Sequence, residues 1–211
     1  MGNRWDGQTV VCIASGPSLT AQDCETVRIA QSEGRCKVVT CNTSYQAAPF
    51  ADILYAGDFT WWSHYTRQVK AGKWKPFDSE KWTISRSAAH RFGLELISGF
   101  QGPGLSKQPG RIHLGGNSGY AQIGLALDWG SPRVLLLGYD MQRTGNRTHH
   151  HGDHPRPLGN ANAFPTWLRR FDVMAKDARK MGLEIVNCSR ASALTCFPRM
   201  TIEQALECVS P

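Results

Sequence analysis

A chain of 211 residues and 23.4 kDa is long enough for one sizeable core and does not demand a second domain, so a single domain over 1–211 is expected. No apolar run approaches the roughly 18 residues of a membrane span, the start MGNRWDGQ lacks the apolar core of a secretion signal, and no RNA-recognition, zinc-finger or helix-turn-helix pattern occurs. The expected location is therefore cytoplasmic, and the dispersed net charge of +7 favours phosphorylated small molecules or nucleic acid as partners.

In chain order, short apolar runs at 9–15, 36–42, 51–57, 133–140 and 183–189, each bounded by Gly, Asn, Asp or Ser, predict buried parallel strands. Helical patterns at 20–34, 118–130 and 165–182 separate them, and each ends at a glycine. The alternation predicts a Rossmann-like, doubly wound α/β fold, a mostly parallel sheet with helices on both faces and ligands at the carboxyl ends of the strands. The Gly- and Pro-rich stretch 99–111 is expected as a lid or crossing, and 143–160 as a histidine-rich loop. Seven cysteines without a CxxC pair, several inside apolar runs, are expected as buried thiols.

The first strand runs directly into Ser15, Gly16, Pro17 and Ser18. Gly16 permits close backbone approach, Ser18 or Thr20 can cap the next helix, and the free N–H groups of a helix start favour a phosphate. A plain tight turn is the competing reading. Asn42, Thr43 and Ser44 follow the second apolar run on the same rim, where an Asn can read a base or a ribose. Asp58 leaves the third run, as a ligand for a metal or hydroxyl or as a helix cap, and Trp61 and Trp62 suit either stacking or the core.

The segment 113–155 couples a Gly-rich turn, a helix, a buried strand ending in Asp140 and the run THHHGDH (148–154). With Gly16-Pro17-Ser18-Leu19, Asn42, Asn117-Ser118-Gly119 and Gly138-x-Asp140 in this order, the sequence resembles the Campylobacter-type bacterial sialyltransferases. The motility-accessory-factor proteins and the archaeal 6-hydroxymethylpterin pyrophosphokinases share the pattern, which runs from about residue 9 to residue 197. The resemblance implies a transferase with a nucleotide or nucleotide-sugar donor, most simply a sialyltransferase-like glycosyltransferase with no essential cofactor. Its acceptor could be a glycan, a small molecule, a protein or nucleic acid, and assembly of several copies is allowed. A magnesium-dependent, pyrophosphokinase-like transfer from ATP and a non-catalytic nucleotide-binding protein are the alternatives.

In the favoured reading Ser15, Gly16, Pro17, Ser18, Asn42, Asn117, Ser118 and Gly119 bind the donor, and Asp140 orients it. Where the sialyltransferases place tyrosines beyond Gly-x-Asp, this chain has MQRTGNR (141–147), so Arg143 or Arg147 would supply charge to the phosphate. His154, or failing that His151, is the expected general base. A solvated loop, or a transition-metal site on the four histidines and Asp153, is the alternative for this run, and no metal ligand is assigned. His113 is expected to be structural, and Arg169, Arg170, Lys176 and Arg179 to form the solvated face of the last long helix.

Overall fold

The computed structural model describes residues 4–154, 158–159 and 163–208. The chain builds a seven-stranded, wholly parallel sheet in the order β5-β4-β3-β2-β1-β8-β9. Its strands are β1 (Thr9–Ile13), β2 (Lys37–Cys41), β3 (Ile53–Tyr55), β4 (Glu80–Thr83), β5 (Glu95–Leu96), β8 (Arg133–Leu137) and β9 (Glu184–Asn187). Two further strands among the described residues, β6 (Ser98–Phe100) and β7 (Arg111–His113), pair with each other in a small separate sheet.

Alternation along β1 shows why helices cover both faces. Val10, Cys12 and Ala14 pack with α4 (Ser118–Asp128) and α5 (Phe164–Lys180), through residues such as Tyr120, Ile123, Phe171 and Met174. Val11 and Ile13 point the other way, onto α1 (Ala21–Ser32), α2 (Phe59–Lys70) and α6 (Ile202–Glu207), meeting Val27, Trp62 and Ile202. The short α3 (Arg86–Phe92) links β4 to β5. The fold is thus a doubly wound α/β sandwich.

The three long helices read from the sequence lie at 21–32, 118–128 and 164–180, each followed within two residues by a glycine of positive φ (Gly34, Gly130, Gly182). Thr20, not Ser18, caps α1, in a reciprocal box with Asp23. Trp61 and Trp62 are core residues, stacked or edge-on with Tyr65 and Tyr45 beneath the sheet. Cys12, Cys24, Cys36, Cys41 and Cys188 are buried thiols. The stretch 99–111, expected as a lid, begins in β6 and ends in β7. It is tied to the α4 and α5 layer, because Gly104 N–H donates to Tyr120 Oη (2.6 Å) and Leu105 N–H to Asp177 Oδ2 (3.0 Å). Among the described residues, no helix is long and apolar enough to cross a membrane.

Candidate functional site

Strand order reverses between β1 and β8, which lie side by side in parallel register from Thr9↔Arg133 to Ile13↔Leu137. At such a switch point the chains leaving the two strands diverge to opposite faces and open a crevice at their carboxyl ends. Here the ladder continues past both strands, with Ala14 N–H donating to Leu137 O and Gly16 N–H to Gly138 O, both at 2.8 Å. Gly138 has φ of +70°, a conformation that glycine adopts without penalty, and it turns the chain into Asp140. A Cβ on Gly16 would overlap the Asp140 carboxylate and lie 2.5 Å from the Gly138 carbonyl oxygen. The two strand ends are therefore locked face to face.

Asp140 is 1% exposed and its carboxylate accepts from Ser18 N–H (2.8 Å) and Ser18 Oγ–H (2.7 Å). Burial pushes its carboxyl up from the ordinary range, and the two Ser18 bonds pull the other way. The acid at the end of β8 thus holds the Gly-Pro-Ser turn in place, and the Ser18 donors are engaged by the protein itself. Pro17 and Ser18 consequently stand outside the crevice wall, while Ser15 and Gly16 form part of it.

Two further rims close the crevice, a cavity of about 240 Å³. Asn42, in a left-handed conformation (φ 49°), donates from Nδ2 to Ser118 Oγ at 3.1 Å. Asn117 caps α4 by accepting Tyr120 N–H at 2.8 Å, and its Nδ2 is buried without a partner among the described residues. Gly119 is held from behind, its carbonyl accepting Tyr139 Oη–H at 2.8 Å while Gln122 Nε2 donates to the same hydroxyl at 2.6 Å. The positive end of α4 therefore faces the cavity beside a buried amide that lacks an acceptor. Phe164 and Trp167, edge to face at 5.5 Å on the first turn of α5, supply an aromatic wall.

The histidine run folds back onto the same strand end. His150 N–H donates to Ser15 O (2.8 Å), and His149 Nδ1 lies 2.7 Å from Ser15 Oγ. The rings of His149 and His151 are parallel, 5.2 Å apart, and each is 4.7 Å from the ring of His154. Burial, reinforced by the neighbouring imidazoles, pushes His149 down to about 4 and His151 to about 3, so both are neutral at pH 7. Burial, with His64 close by, also lowers His154. A group titrating near 3 is a weak proton acceptor at neutral pH, which disfavours His151 as base.

His154 lines the switch-point cavity and also a second cavity of about 760 Å³ walled by His64, Arg67, Gln68 and Lys73, which His151 lines as well. Arg143 and Arg147 are exposed on either side of a tight turn closed by the Thr144–Arg147 bridge, and neither belongs to the wall of either cavity. Asp58 precedes α2 at the cap position without a side-chain cap bond, and lines an adjoining pocket that shares Asn117 and Ser118. His113 bonds the Pro103 carbonyl oxygen through Nδ1 at 2.7 Å. Sequence reasoning missed Phe164, Trp167 and Met141 in the wall. An aromatic pair at i and i+3 beside Pro165, at a helix start, was the available signal for the first two.

No family model matches the chain, and neither does any curated protein. Among solved structures, the MAf glycosyltransferase from Magnetospirillum magneticum AMB-1 superposes with a TM-score of 0.60 at 13% identity, over 97% of this chain and 35% of that one. The likeness is one of fold. This chain spans about a third of that protein's length.

Proposed function

We propose that the chain is a transferase that moves a glycosyl group from a nucleotide-activated donor to a polar or anionic acceptor. The observation that carries this reading is the convergence, on one cavity at the sheet's switch point, of the β1 and β8 ends, Asn42 and the start of α4. The donor phosphate sits against the backbone of Ser15 and Gly16 and the N-terminus of α4. Asn42 and Asn117 read the sugar or base, and Trp167 with Phe164 gives the base a flat apolar wall. The fold shared with a glycosyltransferase supports the same reaction class.

The second cavity supplies the acceptor side. Arg67 and Lys73 suit an anionic or hydroxyl-rich acceptor, and His154 stands where the two cavities meet. The acceptor hydroxyl's proton therefore leaves at the His154 corner as the oxygen attacks the activated carbon and the nucleotide departs with the bonding electrons. Magnesium-dependent pyrophosphoryl transfer fits less well, because Asp140, one of the two acids it would need, is held by Ser18.

A melting-temperature panel of CMP, CDP, UDP, GDP, ADP, ATP and their sugar conjugates, run in EDTA and again with magnesium, tests the reading. A donor at a hundred times its dissociation constant stabilises by about 2.7 kcal/mol, a rise of roughly 5–11 °C for a chain of this size. One nucleotide family is expected to produce it in EDTA. Absence of a shift from every nucleotide would overturn the donor assignment, and a shift that needs magnesium would favour pyrophosphoryl transfer.

A further inference from the structure

We propose that His149, His151 and His154 form a binding site for one divalent transition-metal ion of the zinc class. One ring nitrogen from each lies within 4.8 Å of the other two. Zinc bound at 2.0–2.1 Å in a tetrahedron holds its ligand nitrogens about 3.4 Å apart, so modest rotation of the imidazoles brings the three to ligating distance. The rings already gather around a common centre, with centroid separations of 5.2, 4.7 and 4.7 Å.

Hydrogen bonding supports a cation as the missing partner. Buried imidazole nitrogens normally find a carbonyl, a carboxylate or a hydroxyl. Here Nε2 of His149 and Nε2 of His151 are both buried, and neither has a partner among the described residues. The opposite nitrogen of His149 is fixed, since Nδ1 lies 2.7 Å from Ser15 Oγ. With Nδ1–H donating to that hydroxyl, the Nε2 lone pair is left for the ion, and this second hydrogen bond is the usual companion of a ligating histidine. Asp153, within the same turn and accepting Thr148 Oγ1–H at 3.3 Å, adds a negative charge beside the site.

Three protein ligands leave a tetrahedral ion one open position, as in catalytic rather than structural zinc sites. His149 and His154 line the switch-point cavity, and His151 and His154 the basic one, so the ion would stand between them. An ion-held hydroxide, formed from bound water whose pKa is brought to about 7, would then take the place of the His154 imidazole as the proton acceptor at this corner. Only this role rests on the donor reading; the ion site stands on the histidine geometry.

The test uses the full chain, stripped with a chelator and reloaded with zinc or cobalt(II) without any nucleotide. Competition against a chromophoric chelator and metal analysis after gel filtration should give one ion per chain, and cobalt should show visible d–d bands. His149→Ala and His151→Ala should each weaken zinc at least 100-fold, and Ser15→Ala about 10-fold, whereas His150→Ala should not. Circular dichroism in chelator checks the fold, and the cobalt spectrum of the unaltered chain decides should a variant unfold. Less than stoichiometric zinc, or losses in His149→Ala and His151→Ala no larger than in His150→Ala, would overturn the site. Since no nucleotide is present, failure here leaves the donor reading intact, and an empty nucleotide panel leaves this site intact.

Discussion

Asp140→Ala separates a clamp from a passive strand end. The side chain accepts two hydrogen bonds from Ser18, at 2.8 and 2.7 Å, inside the β1/β8 seam. Bonds to a charged acceptor contribute about 1.5–3 kcal/mol each, which would give about 3–6 kcal/mol for the pair. Removing a buried charge recovers part of its desolvation, so the net loss should be about 2–4 kcal/mol. At about 2–4 °C per kcal/mol for a chain of this size, the melting temperature should fall by roughly 5–15 °C. Asp140→Asn keeps both contacts after an amide rotation, its oxygen accepting Ser18 N–H and its NH₂ donating to Ser18 Oγ, and should cost under about 1.5 kcal/mol. The pH dependence has a definite sign. Because burial raises the folded carboxyl above its unfolded value, the folded chain holds the proton over the window between them, and stability falls as pH rises through that window. Both variants should lose this component. Urea denaturation and thermal melts from about pH 3 to pH 8 measure it. An alanine variant within about 0.5 kcal/mol of the parent, or the same pH slope in all three proteins, would refute the clamp.

Gly16→Ala should cost at least about 1–3 kcal/mol, because the added methyl overlaps Asp140 and the Gly138 carbonyl; an unshifted melting temperature would mean that the seam is looser than described. Tyr139→Phe leaves the Gly119 carbonyl and Gln122 amide without their shared hydroxyl, so a loss of about 1–3 kcal/mol is expected by urea denaturation. Trp167→Ala should weaken the donor nucleotide by about 1–3 kcal/mol, the worth of one stacked base, and, because Trp167 also packs against the core, should lower the melting temperature without ligand as well. Equal nucleotide affinity in calorimetry would remove Trp167 from the site.

The strands legible in the sequence are those buried on both faces. β1, β2 and β8 read as unbroken apolar runs because helices cover both sides. β4 and β5 close one edge of the sheet with the polar Glu80–Thr83 and the exposed Glu95–Leu96, which give no apolar run. The site divides in the same way. Gly16, Asn42 and Asn117 were visible because strand ends and helix starts have local chemistry, but the partner of Ser18 lies 122 residues away and no local pattern encodes it. Arg143 and Arg147 have the right chemistry for phosphate, yet their turn carries them into solvent, and periodicity says nothing about direction in a loop. Trp167 failed for the opposite reason. Its spacing fits an amphipathic face, but helical side chains lean toward the N-terminus, and on the first turn of α5 that lean carries the ring over the cavity.

Ser15 ties the two halves of the site together. Its neighbour Gly16 is locked to Gly138 and Asp140, while its own carbonyl and hydroxyl engage His150 and His149. The histidine turn is thus positioned by the end of β1, an interior strand of the sheet, although more than 130 residues separate them. A phosphate seated on Ser15 and Gly16 would press on the same two-residue support that orients His149. If the donor and the ion bind as proposed, this strand end is the physical link between them, and by linkage the factor by which the donor changes ion affinity equals the factor by which the ion changes donor affinity.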